Sequence, residues 1–304
     1  MTVGRFAPSP TGRMHLGNVL GAVLSWLSAK SRGGRWLLRI EDIDPARSRR
    51  EYAQLLMDDL HWLGLTWDGE PVWQSRRSDI YEDYFQQLKG RELTYPCFCT
   101  RTDLLATQAP HESDGRVVYP GTCRPPGPAI SGTPAIAERP AATRLIVPDS
   151  DVAFTDGHYG LQCVNLAHQV GDFIIRRKDG AWAYQLAVVI DDALMGITEV
   201  VRGRDLLLST PQQLYIAQLL KLRSPCYIHF PLLLNDAGQR LSKRDGSLDM
   251  ASMRQRMTAR EIVGMAAYLV HLTPEPLPMT PQELLPLFCW EKVPCHDCTL
   301  KQLQ

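Results

Sequence analysis

A chain of 304 residues, 44% of them hydrophobic, is long enough to bury a substantial core and to divide into two or three compact units. Its 33 basic and 33 acidic residues cancel, so no global field draws it to nucleic acid, and RNA contact must come from local patches such as Arg47 to Arg50, Arg76 with Arg77, or Arg176 to Lys178. No apolar run reaches ~18 residues, and Arg5 and two prolines stand where an export signal needs an apolar stretch, so no membrane role and a cytoplasmic location are expected.

The apolar run Val3 to Phe6 predicts a short buried strand. A Pro/Gly turn follows, and the spacing from about His15 to Lys30 predicts a helix whose N-terminal N–H groups make an anion site above the turn. Arg35 to Ile40, ending in Glu41 and Asp42, reads as a second buried parallel strand, which makes a β-α-β beginning. Helical patterns lie near Arg49 to Leu63 and Ser78 to Leu93. From Tyr95 to about Ala142 the chain is rich in Pro, Gly and Cys, the composition of a loop-dominated insertion that apolar burial alone cannot hold together. Strands at Thr143 to Val147 and Asp172 to Ile175 come next, then a helix at Tyr184 to Leu194, a strand at Thr198 to Val201, a helix at Pro211 to Leu222 and an amphipathic helix at Ala259 to Leu272. The expected fold is α/β, a doubly wound parallel sheet interrupted by the insertion. The expected division is 1–94 as the first half of a nucleotide-binding domain, 95–181 as the inserted subdomain, 182–245 as the second half, and 246–304 as a short helical C-terminal region.

Eight cysteines are too few for a disulfide scaffold. Cys97, Cys99 and Cys123 offer three thiolates across a short loop; a structural zinc takes four ligands, and ligand spacing favours His111 as the fourth. The alternative is that Cys97 and Cys99 alternate across a strand as free thiols, one buried and one exposed. Cys289, Cys295, His296 and Cys298 lack paired Cys-x-x-Cys knuckles and read as solvated or buried thiols.

Two motifs remain, His15-Leu16-Gly17-Asn18 and, more than two hundred residues later, Arg240-Leu241-Ser242-Lys243-Arg244. A His at a helix N-terminus can hydrogen-bond phosphate oxygens as charge develops, and a Lys on a distant loop can neutralise a triphosphate. Alone, each has an ordinary reading: His15 as a helix cap, Lys243 as a solvated surface residue. Together they resemble the His-Ile-Gly-His and Lys-Met-Ser-Lys-Ser signatures of the class I aminoacyl-tRNA synthetases, with Asn18 replacing the second His and Leu241 and Arg244 replacing the Met and last Ser. Arg5-Phe6-Ala7-Pro8-Ser9-Pro10-Thr11-Gly12, Arg39-Ile40-Glu41-Asp42-Ile43-Asp44 and Val201-Arg202-Gly203 resemble the glutamyl branch of that class.

The resemblance implies a Rossmann-like class I fold with zinc in the insertion, and an ATP-dependent ligase. The substrate α-carboxylate would attack ATP in line, with Mg2+ assisting, to give glutamyl-adenylate and pyrophosphate before transfer to an RNA hydroxyl. It implies a glutamate pocket of Arg5, Phe6, Ala7, Pro8, Ser9, Glu41, Tyr184 and Arg202, in which planar arginine forks meet carboxylates, Glu41 and Tyr184 receive the ammonium group and Ser9 donates a hydrogen bond. His15, Gly17, Asn18, Leu241, Ser242 and Lys243 are implied for ATP, with His15 and Lys243 catalytic, and Tyr119 is implied as the fourth zinc ligand, a rival to His111. On residue type alone, Arg5 or Arg202 could instead form an ion pair with Glu41 or Asp42, and Tyr184 could be a packed helix residue.

With the chain ending at Gln304, only Ala259 to Leu272 offers a helix where a full glutamyl-tRNA synthetase carries its anticodon reader. Gln185 and Val188 stand where the usual glutamyl enzyme has His and Asn, and loss of the amide at Val188 is expected to change the glutamate pocket. Both features resemble the truncated paralogues that activate L-glutamate with ATP in the absence of tRNA and esterify queuosine at the wobble base of tRNA(Asp). The expected partners are ATP, L-glutamate and tRNA(Asp) carrying queuosine, and a monomer suffices. A compact enzyme charging a tRNA 3′ end, and a non-catalytic RNA-binding or amino-acid-sensing module, are the alternatives.

Overall fold

The computed structural model describes residues 1–100, 102–103, 118–126, 140–235, 238 and 248–300. Its first unit is the expected β-α-β. Strand β1 (Val3–Phe6) leads through the Pro/Gly turn into helix α1 (Leu16–Lys30), and β2 (Arg35–Ile40) pairs parallel with β1, Val3 opposite Arg35 and Phe6 opposite Leu38. Helix α1 is buried almost all round, which its sequence permits because Leu, Val, Ala and Trp occupy nearly every face. Helix α2 (Arg50–Trp62) returns the chain to β3 (Val72–Trp73), parallel to β2, and α3 (Ser78–Gly90) follows. Helix α3 stops short of Leu93 because Glu92 takes a left-handed φ of 55°, which no helix can continue through.

The insertion is an antiparallel sheet, β4 (Thr94–Cys97) against β5 (Ala142–Leu145) against the later β8 (Phe173–Arg176). Between β5 and β8 lies a hairpin that the sequence reading lacks, β6 (Asp151–Asp156) with β7 (Gly160–Asn165), Asp156 opposite Gly160. Helix α4 (Tyr184–Leu194) has the predicted bounds. Strand β9 (Glu199–Gly203) pairs parallel with β10 (Cys226–Phe230), a second element absent from the sequence reading, and α5 (Thr210–Leu220) connects them before Lys221 ends it with a φ of 54°.

The two parallel groups, β1-β2-β3 and β9-β10, meet along β1 and β9: the Thr198 N–H donates to the Val3 carbonyl and the Val3 N–H to the Thr198 hydroxyl, each at 2.9 Å. One apolar core lies under α1 and includes Ile262, Ala266 and Leu269 of α6 (Ala259–Leu269), so the C-terminal region packs on the first β-α-β unit. Gly264 of α6 allows this approach, since a Cβ there would lie 1.8 Å from the Leu277 carbonyl oxygen. The C-terminal region is not purely helical: β12 (Cys298–Thr299) pairs parallel with β11 (Leu233–Leu234). A second core joins α3, α4 and α5 with Leu145, Phe173 and Ile175 of the insertion sheet. Among the described residues no helix is long and apolar enough to cross a membrane.

Candidate active site

Parallel strands present their following loops at one edge, and a cleft of about 460 Å³ lies there, beyond the carboxyl ends of β1, β2, β9 and β10. It brings together every described residue expected at the site: Arg5, Phe6, Ala7, Pro8, Ser9, His15, Gly17, Asn18, Glu41, Tyr184 and Arg202. Leu241, Ser242 and Lys243, with Arg240 and Arg244, lie outside the described residues, as does His111. Of their described neighbours, Leu233 lines the cleft, Asp249 forms a β-bridge with His15, and the Met250 N–H donates to the Met14 carbonyl at 2.8 Å.

His15 caps α1. Its Nδ1 accepts the Gly17 N–H at 3.1 Å, and the Asn18 side-chain oxygen accepts the His15 N–H at 3.0 Å. Capping and phosphate contact are therefore compatible roles, because a neutral ring that accepts through Nδ1 carries its proton on Nε2. Asn18 in place of a second His thus completes a capping box. Arg13 fixes the same loop from below through two hydrogen bonds to Asp59, at 2.9 and 3.0 Å.

A buried charge cluster supports the floor. Arg39, fully buried, donates to Asp192 at 2.6 Å and to Glu41 at 3.1 Å, while Asp191 accepts from Gln74, Arg77 and Tyr81 at 2.7, 2.6 and 2.9 Å. Arg5 Nε lies 3.6 Å from Asp192, and Arg5 Nη1 donates to the Val201 carbonyl at 3.3 Å. The ion pairs considered from sequence, Arg5 or Arg202 with Glu41 or Asp42, are not those formed among the described residues: Glu41 pairs with Arg39, Arg5 faces Asp192, and Asp42 accepts from Ser75. Burial pushes the Glu41 carboxyl above its ordinary range, against the pull of Arg39 and Arg5. A ligand ammonium group would favour its ionised form.

Arg202 is buried to 5% exposure, and among the described residues it has no carboxylate within ion-pair distance. Its donors go to neutral acceptors: Nε to His229 at 2.9 Å, Nη1 to Gln213 at 2.8 Å and Tyr184 at 3.4 Å, Nη2 to Thr210 at 2.9 Å and the Leu206 carbonyl at 3.3 Å. Its guanidinium also sits 4.9 Å from the centre of the Tyr227 ring. A desolvated cation without a paired anion is costly, and a carboxylate in the cleft would supply the missing charge. The two weakest contacts, to Tyr184 and Leu206, are those a carboxylate could replace.

Val188 does not line the cleft; it is fully buried in the second apolar core, so the expected change to the pocket does not arise by direct contact there. Gln185 acts at one remove, bonding Gln213 at 2.8 Å, which in turn holds Arg202. Sequence reading also passed over Asp191, Asp192, Asp156 and His229. Two adjacent aspartates inside an apolar helix are the one available signal, since buried carboxylates must find partners.

In the insertion, the Cys97, Cys99 and Cys123 sulfurs lie within 4.8 Å of one another, and the Tyr119 hydroxyl is 3.5 Å from Cys97 Sγ and 3.8 Å from Cys99 Sγ. The Cys99 and Cys123 sulfurs are 3.5 Å apart. A tetrahedral zinc with Zn–S near 2.3 Å sets its sulfurs roughly 3.8 Å apart, so the donor set fits that ion. Burial opposes ionisation of Cys97, yet hydrogen bonds from Arg144 and Tyr119 hold its thiol below the ordinary range; burial and Cys123 push Cys99 up to about 11. Cys289, Cys295, His296 and Cys298 do not assemble: Cys298 is buried in the first core and Cys295 lies 3.6 Å from His158.

These features define a class I synthetase. Residues 1–275 match the family model of the class I tRNA synthetase (E and Q) catalytic domain, and the chain belongs to that family. It is 44% identical to the glutamyl-Q tRNA(Asp) synthetase of Symbiobacterium thermophilum, across 97% of this chain and 94% of that one. It is likewise 44% identical to the glutamyl-Q tRNA(Asp) synthetase of Neisseria gonorrhoeae, across 98% and 99%. A glutamate tRNA ligase from Elizabethkingia meningosepticum, solved in complex with its amino acid, superimposes with a TM-score of 0.78 at 27% identity, covering 98% of this chain and 66% of its own length. The glutamate-tRNA synthetase of Elizabethkingia anophelis gives a TM-score of 0.80 at 27% identity, with 98% and 68% covered.

Proposed function

We propose that the protein activates L-glutamate with ATP in the absence of tRNA and transfers the glutamyl group to queuosine at the wobble position of tRNA(Asp). The observation that carries the reading is Arg202, a buried cation without a carboxylate partner among the described residues, facing the same cleft as Glu41 and the capped N-terminus of α1. That spacing of charges suits an amino acid with a side-chain carboxylate, laid against a phosphate site. The named relatives, similar over nearly the whole chain, supply the substrate pair.

In this reading Arg5 and Arg202 hold carboxylate oxygens, Glu41 and Tyr184 take the ammonium group, Ser9 donates a hydrogen bond, and Phe6, Ala7 and Pro8 shape the pocket wall. ATP would bind at the N-terminus of α1 by Gly17 and Asn18, its magnesium ion supplying positive charge to the phosphates, and His15, Leu241, Ser242 and Lys243 are the residues assigned to it. The α-carboxylate oxygen bonds to the α-phosphorus as the bond to the β-phosphate oxygen breaks, and pyrophosphate leaves with the charge. A hydroxyl of the queuosine cyclopentenediol then attacks the adenylate carbonyl, forming an ester and releasing AMP, its proton passing to solvent. His15 and Lys243 serve the first step by stabilising charge on the phosphates.

The reading includes one structural zinc on Cys97, Cys99, Cys123 and Tyr119, supported by the sulfur geometry and by the cluster's small apolar core, which a metal cross-link would reinforce. It also includes a monomer working in the cytoplasm, where ATP and tRNA meet, and a catalytic domain in two halves, 1–94 and 182–245, around an insertion at 95–181, followed by the region 246–304. The experiment is incorporation of labelled glutamate into tRNA(Asp) with and without queuosine, and into tRNA(Glu). Labelling confined to the queuosine-bearing RNA is expected; labelling of tRNA(Glu) alone would replace this reading with a compact charging enzyme.

A further inference from the structure

We infer that the buried pair Asp156 and His229 positions Arg202 for a substrate carboxylate by fixing the tautomer of the His229 ring. The inference rests on the reading of the cleft as a glutamate site, and it adds two residues that touch neither substrate.

Donor counting fixes the ring's tautomer. An arginine Nε can only donate, so His229 Nε2, 2.9 Å away, must accept and carry no proton. The ring proton is then on Nδ1, which lies 2.6 Å from Asp156 Oδ2. Both residues are fully buried, so no solvent competes for either nitrogen. Asp156 is itself immobilised: its Oδ1 accepts the backbone N–H groups of His158, Tyr159 and His229 at 3.0, 2.9 and 3.3 Å. The tip of the β6–β7 hairpin is pressed onto β10, where the Gly157 N–H donates to the Tyr227 carbonyl at 2.8 Å and a Cβ on Gly157 would meet Ile228 Cγ1 at 2.7 Å. A hairpin of the insertion thereby sets the orientation of a cation in the cleft.

The neutral ring between carboxylate and guanidinium has a second consequence. A carboxylate bonded directly to Arg202 would neutralise it and compete with the substrate. Placed one imidazole away, Asp156 orients the arginine while leaving its charge for a ligand. Thr210, which accepts from Nη2 and lies 3.5 Å from His229 Nε2, holds the other edge of the fork.

The test is glutamate affinity by calorimetry on the full chain for R202A, D156N, H229Q and the double variant D156N/H229Q. An Asn at 156 would donate to Nδ1, forcing the ring proton onto Nε2 against the Arg202 N–H. Loss of a charge-assisted hydrogen bond then weakens glutamate binding about tenfold or more, with ATP affinity changed less than about twofold. H229Q returns an oxygen acceptor to the place of Nε2 and retains most of the affinity, and in that background D156N adds little, because no tautomer remains to be set. Equal losses from D156N in both backgrounds, or equal losses of glutamate and ATP affinity, would overturn the inference, since scaffold damage produces both. If R202A leaves glutamate affinity unchanged, the reading of the cleft itself fails; if R202A abolishes binding and D156N does not weaken it, the cleft reading stands and the inference fails. Nitrogen NMR of labelled histidine in the unmodified chain needs no variant to fold: a proton on His229 Nδ1 supports the inference, and one on Nε2 refutes it.

Discussion

Asp249 pairs backbone to backbone with His15, so the chain returns to the N-cap of α1 six residues after Lys243. Six extended residues span at most about 20 Å, a length that permits a residue at position 243 to serve the phosphate site. Lys243→Ala is expected to slow glutamate-dependent ATP–pyrophosphate exchange about a hundredfold, the cost typical of removing one donor that stabilises transition-state charge. Glutamate affinity should change little, because the cations proposed to hold it, Arg5 and Arg202, belong to β1 and β9. Exchange at the unaltered rate would remove Lys243 from the mechanism.

Asp191 is buried completely and accepts hydrogen bonds from Gln74, Arg77 and Tyr81, with Arg39 Nε 3.8 Å away. Deleting the carboxylate strands Arg77 and overcharges the cluster around Arg39. Asp191→Ala should destabilise the fold by about 3–5 kcal/mol, the cost of leaving a buried charge unpaired. Urea unfolding followed by circular dichroism reads this directly, and a loss under about 1 kcal/mol would mean that the cluster relaxes by admitting water.

The parts of the molecule legible in the sequence are those whose cause is local. Helix α1 follows from a long apolar stretch opening after a Pro/Gly turn, and α4 from the apolar run Leu186 to Ile190. The cleft residues Arg5, Glu41 and Arg202 were legible because each follows from a motif, and each motif ends a parallel strand. The pairings that hold them were not legible. Arg39 meets Asp192 across 153 positions and His229 meets Asp156 across 73, and nothing in composition carries information over such separations. The β6–β7 hairpin is poorly signalled because several of its side chains face solvent, and β10 carries a fully buried histidine in an otherwise strand-like run. Val188 shows the limit of resemblance: a position associated with the pocket is here part of the apolar core.

Cys123 anchors the insertion through its sulfur and through its N–H, which donates to the Tyr119 hydroxyl at 2.8 Å. Arg144 stacks 3.5 Å from the Tyr119 ring centre and donates to Cys97 Sγ at 3.1 Å, so the cluster also ties β5 to β4. Cys123→Ala should lower bound zinc from about one per chain to near zero and expose the insertion to proteolysis, because three ligands make a poor structural site. Metal analysis by emission spectrometry decides it. Full retention of zinc would show that the ligand set lies elsewhere.

The pair beneath Arg202 also sets a pH dependence of stability. Burial holds the His229 ring below its ordinary pKa, with Arg202 adding to the shift and Asp156 opposing it. The native state thus keeps His229 neutral where the unfolded chain, with a pKa of about 6.5, already binds a proton. Since the unfolded state binds more protons, stability is complete above about pH 6.5 and falls as the pH drops, by up to about 1.4 kcal/mol per pH unit, until the native ring also protonates. Asp156 acts in the same sense at lower pH: burial raises its pKa, but hydrogen bonds from His229 and the hairpin N–H groups outweigh this and hold it below the usual carboxylate range. Denaturant midpoints at pH 7.5, 6 and 5 should therefore fall more steeply for the unmodified chain than for His229→Gln, which has no ring to protonate. Parallel decline in the two proteins would assign the acid sensitivity to other groups and remove the neutral imidazole from the account of Arg202.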